Sequence, residues 1–368
     1  MDAPLLFISA GDPSGDNAVS RVLRCLRQTE PALRVVGLGG PRLKQLGQEQ
    51  LAEPSALAVL GFWEVARKYL FFRKLFYDCV TEIRQRRPKA ILLVDYPGFN
   101  LRLAKAIRPL GIPIIYYISP QVWAWGKGRI RLIRDCVDRM LVILPFEEAF
   151  YREHGIDCKF VGHYLLEDIP PVYVSSTAPG GKQIALLPGS RRQEIERMLP
   201  SMLDAARVLN RTHGATAVVA AMSGTYDYDS ICKDYASSGV KVIYDDPRRV
   251  IYESDLVLTA SGTATLEAGI IGRPMVVVYR TGTMTYLIAR NLVKLDKIAL
   301  VNLVLDEKVV PELIQNEANS FRMAEETEKY LRNDEYRLSV TRSLARVPSL
   351  LGGMGASARV AEAIGEYL

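Results

Sequence analysis

The sequence predicts an α/β fold of two successive doubly wound parallel sheets followed by a helical C-terminal tail. Three observations carry this. Short, fully apolar runs of strand length recur along the chain, amphipathic stretches separate most of them, and one loose segment divides the runs into two series. Continuous apolar runs bounded by Gly, Pro or Asp suit parallel strands covered on both faces.

In the first series, residues 5–9 form a strand that ends at Ala10-Gly11, and a helix is predicted over Asn17 to Gln28. Strands follow at 35–38, 91–94, 114–118 and 140–143. Residues 167–183 hold three prolines, two glycines and Ser175-Ser176-Thr177, which reads as a linker. The second series places strands at 184–187, 217–220, 240–243, 256–258 and 275–278. From about Ala318 the chain reads as helical and charged, with a break at 351–355 and a last helix to about Tyr367. The expected domains are 1–166, 167–345 and a tail at 346–368. Ligands in such sheets sit at the carboxyl ends of strands, so a cleft between the two units is the expected site.

With 368 residues, two domains are expected, and 49% apolar with 24% charged residues excludes a largely disordered chain. The five cysteines are scattered without a Cys-x-x-Cys pair, and there are only three histidines, so neither a disulfide framework nor a metal centre is expected. No run of about 18 apolar residues predicts a spanning helix, and the N-terminus lacks a basic signal region, so the expected location is cytoplasmic. The net charge of +6 is compatible with nucleic acid, an anionic membrane or a phosphorylated substrate.

Loops at strand ends carry the chemistry. Gly11-Asp12-Pro13-Ser14-Gly15-Asp16 opens the first helix: either a ligand meets its backbone amides, or it is a plain turn capped by Ser14 or Asp16. Asp95, before Tyr96-Pro97-Gly98, is placed as a general base, or else caps the next helix. Gln121, Trp123 and Trp125 lie in one loop that reads as a recognition surface or as packing. Ser190-Arg191 opens the second unit, with Ser190 a candidate cap and Arg191 a candidate phosphate clamp. Ser261, Gly262 and Thr263 form a candidate diphosphate cradle, and Glu267, about one turn on, could accept from ribose hydroxyls. Residues 57–77 are aromatic and basic. On a helix over 62–77, Phe71 and Leu75 fall on the charged arc, which suits a lipid-facing surface through Trp63, Phe71, Phe72 and Leu75, or else a buried helix. Asp227-Tyr228-Asp229 has the form of a metal motif but reads better as a loop and helix cap. His163 has either a site or a structural role.

Five motifs recur in the order of one family: residues 119–125 (SPQVWAW), 144–147 (LPFE), 161–163 (VGH), 186–191 (LLPGSR) and 260–267 (ASGTATLE). With the first glycine loop, they make the chain resemble the lipid-A-disaccharide synthases, inverting glycosyltransferases with two Rossmann-like domains facing a cleft (GT-B). The resemblance implies transfer of 2,3-diacylglucosamine from UDP to 2,3-diacylglucosamine 1-phosphate, giving the β-1,6-linked disaccharide 1-phosphate and UDP. It implies no cofactor, no metal and no nucleic acid, with the enzyme peripheral on the cytoplasmic face of the inner membrane. Asp95 takes the catalytic role. The family's donor-binding Arg falls on Arg191, a functionally important Asn on Asn302 and its first-loop acidic residue on Asp12. Joined to the residue readings above, Arg191, Ser190, Ser261, Gly262, Thr263, Glu267 and Asn302 are expected at the donor, and Gly11, Asp12, Ser14, Gly15, Gln121 and Trp123 at the acceptor. The chain departs from the family pattern at Asp12, where Glu is common, and at Gly98, Tyr164 and Val301. The architecture alone would also suit another GT-B enzyme or a sugar-nucleotide epimerase with a soluble substrate, and a non-catalytic nucleotide-binding or membrane-docking protein is the reading from outside enzymology.

Overall fold

The computed structural model describes residues 3–52, 69–124, 126–174, 180–281 and 296–368. The chain forms two compact units, Met1–Tyr164 with Gly352–Leu368, and Leu165–Leu351.

In the first unit the strands are β1 (Leu5–Ala10), β2 (Arg34–Leu38), β3 (Glu49–Gln50), β4 (Ala90–Val94), β5 (Ile114–Tyr117), β6 (Arg139–Val142) and β7 (Cys158–Phe160). They pair in the order β3-β2-β1-β4-β5-β6-β7, all parallel. The helices are α1 (Pro13–Thr29), α2 (Pro41–Gln45), α3 (Tyr69–Arg86), α4 (Pro97–Ile107), α5 (Ile130–Cys136) and α6 (Pro145–Glu153). The central strands are almost wholly apolar because helices cover both faces: every residue of β4 is buried.

The second unit repeats the plan with β8 (Gln183–Leu187), β9 (Thr216–Ala220), β10 (Val240–Ile243), β11 (Leu256–Ala260), β12 (Met275–Tyr279) and β13 (Glu312–Ile314). Their order is β10-β9-β8-β11-β12-β13, again parallel. Its helices run from α7 (Leu165–Asp168) through α8 (Arg192–His213), α9 (Tyr228–Cys232), α10 (Pro247–Tyr252), α11 (Thr263–Ile271), α12 (Leu300–Leu305), α13 (Ser320–Arg332) and α14 (Asp334–Leu344) to α15 (Val347–Leu350). In each sheet the strand order reverses beside the first strand. The two switch points, β1/β4 and β8/β11, are where such sheets bind ligands.

The last helix, α16 (Ala356–Gly365), is helical as expected but packs on α1 of the first unit. Arg359 fastens it: Nε donates to the Val161 carbonyl at 2.8 Å and Nη2 to that of Gly352 at 3.0 Å. Gly352–Leu368 therefore groups with the first unit rather than standing alone as a tail.

The aromatic stretch corrects one expectation. Leu75 does not lie on an exposed charged arc; it is 3% exposed, in one core cluster with Cys79 and Ile83. The helix in this region runs on to Arg86, and the stripe Phe72, Leu75/Phe76, Cys79, Ile83 at three- and four-residue spacing sets which face turns inward. Phe71 and Phe72 are half-buried against the same core, edge to face at 5.5 Å, while Leu70, Arg73, Lys74 and Tyr77 are exposed. Trp63 lies outside the described residues. Leu75→Ser should therefore lower stability by about 3 kcal/mol, as large-to-small core changes do. Leu70→Ser should stay within about 0.5 kcal/mol. Urea melts of the two variants check this.

Candidate active site

At the β1/β4 switch point, Asp12 is the N-cap of α1. Its Oδ1 accepts from the Gly15 amide at 3.2 Å, and the Ser14 hydroxyl donates to Oδ2. Neither Ser14 nor Asp16 is the cap. Asp16 is buried and faces the next segment, where it accepts from the amides of Gly40 (2.8 Å), Arg42 (3.0 Å) and Leu43 (3.1 Å). Helix α1 begins at Pro13, earlier than expected, because proline suits the first helical position. Gly11 is required by a close approach: a Cβ there would lie 2.7 Å from Cδ1 of Tyr96.

Asp95 follows β4 with φ +45°, and Tyr96 follows with φ +48°. Consecutive left-handed residues without glycine are strained and need outside support. Asn100 and Tyr116 give it. The Asp95 carbonyl accepts from Asn100 Nδ2 at 2.8 Å and from the Tyr116 hydroxyl at 2.6 Å. Asn100, fully buried, also bonds the Val94 carbonyl at 3.0 Å and accepts from Ser9 Oγ at 2.7 Å, tying the ends of β1 and β4 together. Tyr96, not Asp95, is the N-cap of α4, and its amide donates to the Asp95 carboxylate. The Asp95 carboxyl is pushed up to about 6, first by burial and then by the negative charge of Asp12, against the pull of that amide.

Asp95 lines a cavity of about 210 Å³ with Pro97, Ile118, Ser119, Pro120, Gln121, Ile143, Leu144 and Glu147. Ile118 has φ +62°, a second strained point on its wall and an unusual one for a β-branched residue. Gln121 is exposed and Trp123 half-buried; the Trp123 ring meets Phe146 edge to face at 4.9 Å. Trp125 lies outside the described residues. Glu147 is 1% exposed and accepts from Ser119 Oγ (2.6 Å), Trp123 Nε1 (3.0 Å) and the Leu144 amide (3.0 Å). Burial pushes its carboxyl up to about 7 despite these donors. Sequence reasoning gave no role to Asn100, Tyr116 or Glu147. Glu147 entered only as the last residue of the 144–147 motif, where a Glu two residues after Pro145 also marks a helix start.

At the β8/β11 switch point, Arg191 rather than Ser190 is the N-cap of α8. Glu194 Oε2 accepts from the amides of Ser190 (3.1 Å) and Arg191 (3.3 Å). Gly189 permits this with φ +115°; a Cβ there would lie 2.7 Å from Glu194 Oε2. The Arg191 side chain is 79% exposed, with Glu194 at 3.4 Å. Across the switch point, Gly262 caps α11 with Thr263 as its first residue, so the helix's positive end begins at the expected cradle. Ser261 Oγ donates to the Ile298 carbonyl at 3.4 Å. Glu267 is paired with Arg248 at 2.8 Å, a partner the sequence did not suggest.

Asn302 is bonded within its own unit. It is fully buried in α12, and its amide is spent within the chain. Nδ2 donates to the Val310 carbonyl (2.9 Å) and Glu312 Oε1 (2.8 Å), and Oδ1 accepts from the amides of Val309 and Val310, both at 3.0 Å. Glu312 in turn accepts from the amides of Ile298 (2.9 Å) and Ala299 (3.0 Å). Asn302 thus braces the segment whose carbonyl meets Ser261.

Asp227 caps α9 through the Ser230 amide at 3.1 Å, and Asp229 accepts from the Tyr244 hydroxyl at 2.8 Å, the loop-and-cap arrangement expected there. His163 is buried, which lowers its imidazole to about 3 and keeps it neutral at neutral pH.

The lipid-A-disaccharide synthetase family model matches residues 6–347. A lipid-A-disaccharide synthase of Myxococcus xanthus is 39% identical over 377 residues, covering 99% of this chain and 98% of the relative. One of Anaeromyxobacter dehalogenans is 41% identical over 368 residues, covering 98% and 96%. Among solved structures, S. aureus MnaA with UDP aligns at TM-score 0.67 and 13% identity over 99% of this chain and 96% of that one. A putative UDP-N-acetylglucosamine 2-epimerase from Listeria monocytogenes aligns at TM-score 0.66 and 14% identity over 100% and 97%. At those identities the structures speak for the fold alone, a pair of Rossmann-like units of the GT-B type.

Proposed function

The chain belongs to the lipid-A-disaccharide synthetase family, and from that premise we propose that its first unit supplies the catalytic base and acceptor site while its second unit holds the UDP of the donor. The reaction is the glycosyl transfer that joins a UDP-sugar and a lipid A precursor into a disaccharide; the family match decides it against the epimerase alternative. The donor is UDP-2,3-diacylglucosamine and the acceptor 2,3-diacylglucosamine 1-phosphate.

The observation that carries the division of labour is Asp95: a carboxylate on a braced, strained turn, on the wall of a cavity, with its carboxyl held near 6. An ordinary carboxylate is a weak base, and raising its pKa toward neutrality strengthens it while leaving it mostly ionised at pH 7. Asp95 takes the proton of the acceptor 6-hydroxyl as that oxygen bonds the donor C1. The C1–phosphate oxygen bond breaks with inversion, and UDP leaves with the electron pair. Gly11, Asp12, Ser14, Gly15, Gln121 and Trp123 border the acceptor.

In the second unit, Arg191 and the amide-rich start of α11 at Ser261, Gly262 and Thr263 meet the departing diphosphate, where positive charge and oriented N–H groups count most. Ser190 lies beside Arg191, and Glu267, steadied by Arg248, accepts from ribose. Arg191→Ala should weaken UDP binding roughly 10–100-fold, the value of hydrogen bonds to a charged group. Its exposed pair with Glu194 adds little stability, so Tm should hold. Calorimetry with UDP and with the monosaccharide acceptor checks the reading: unchanged UDP affinity, or an effect on the acceptor instead, would move the donor site elsewhere.

No helix among the described residues is long and apolar enough to cross a membrane. Substrates with acyl chains still require contact with lipid. The exposed Leu70, Arg73, Lys74 and Tyr77 of α3 offer an apolar and basic face for the inner-membrane surface, with half-buried Phe71 and Phe72 beneath. In the stable Leu70→Ser variant, binding to anionic vesicles should fall.

A further inference from the structure

We infer that Glu147 is the positioning residue of the acceptor site, the anchor that sets the loop Ser119–Trp123 along the cavity it shares with Asp95. This rests on the reading of that cavity as the acceptor site. A glutamate in the first turn of a helix often accepts one amide and leaves its other oxygen in water. Glu147 does the first, through Leu144, but its second oxygen is buried and accepts from two side chains of a different segment, Ser119 and Trp123. Burying a carboxylate is costly, and three donors aimed at it suit the ionised form, which only accepts.

The loop needs such an anchor. It leaves β5 through Ile118 at φ +62°, a conformation the backbone does not hold unaided. A second tie comes from the same helix, where the buried Tyr151 hydroxyl donates to the Pro120 carbonyl at 2.9 Å. Between the tied residues stands Gln121, exposed and on the cavity wall with Asp95. Glu147 touches no reacting atom in this scheme; it acts by fixing where Gln121 and the Trp123 ring meet the acceptor.

Glu147→Gln keeps the volume, but its one remaining carbonyl oxygen cannot serve both Leu144 and the Ser119–Trp123 pair. Trp123→Phe keeps an aromatic ring against Phe146 and removes only the indole donor. Steady-state kinetics on both variants and their combination, each substrate varied against saturating partner, test the inference. The expected result is a fall of roughly 10–100-fold in kcat/KM for the acceptor, carried mainly by KM, the scale of a hydrogen bond to a charged group. Donor KM should stay within about twofold, and the double variant should be no worse than the poorer single one, since both break one contact. Acceptor KM unchanged in both folded variants overturns the positioning role and leaves the cavity reading standing. A rise in donor KM with acceptor KM unchanged overturns the cavity reading itself. Should Glu147→Gln fail to fold, Trp123→Phe with Ser119→Ala carries the same comparison.

Discussion

Asp95→Asn should lower turnover roughly 10²–10⁴-fold while UDP affinity stays within about twofold, the share a general base usually contributes. Asparagine keeps the shape and can still take the Tyr96 amide, so the turn persists: its supports, Asn100 Nδ2 and the Tyr116 hydroxyl, bond the backbone carbonyl and not the carboxylate. What is lost is the group that accepts a proton. Single-turnover measurement with both substrates bound separates this from a binding defect, and wild-type turnover in the variant would remove Asp95 from the chemistry.

Asn302→Ala should lower stability by about 3–5 kcal/mol. It strips the Asn302 partner from the amides of Val309 and Val310 and from the Val310 carbonyl, and each buried group left unsatisfied costs about 1–3 kcal/mol. UDP affinity should fall in parallel, because the Glu312 clamp on residues 298–299 loosens beside Ser261. Glu312→Gln should shift both quantities in the same direction. A fall in Tm for Asn302→Ala and Glu312→Gln with UDP affinity unchanged in both would contradict the bracing role.

The sheet interiors were legible because parallel strands covered on both faces must be apolar at every position. The strands the sequence hid are β3, β7 and β13, all edge strands of two or three residues. Glu49-Gln50 and Cys158-Lys159-Phe160 carry polar residues where an edge meets water, so no apolar run marks them. The phase of α3 was missed for a different reason: a window ending at Tyr77 excludes Cys79 and Ile83, the residues that show which stripe turns inward.

Both switch-point loops could be read in advance, since small residues after a buried strand leave few other roles. Their supports could not. Asn100 and Tyr116 reach Asp95 from α4 and β5, and Glu147 reaches Ser119 across 28 positions of sequence. Such contacts exist only once the strands are in register. Asn302 is a further case. Its importance was inferred from the family, while its bonds to Glu312 and to the backbone amides appear only in the folded chain.

The claim that Asp95 is the base is tested most directly by the pH dependence of kcat/KM for the acceptor, which reports ionisations of the free enzyme. A base works deprotonated, so the rate should fall as pH drops through about 6, where burial and the charge of Asp12 hold the Asp95 carboxyl. Glu147, pushed up to about 7, is the other carboxyl on the cavity wall. Its protonation removes the ionised acceptor that Ser119 and Trp123 share, so the wild-type profile also falls through about 7 and Glu147→Gln lacks that part. The same profile measured on Glu147→Gln should therefore keep the limb near 6. A profile flat between pH 5 and 8, or a limb near 6 that vanishes with Glu147→Gln, would contradict the assignment.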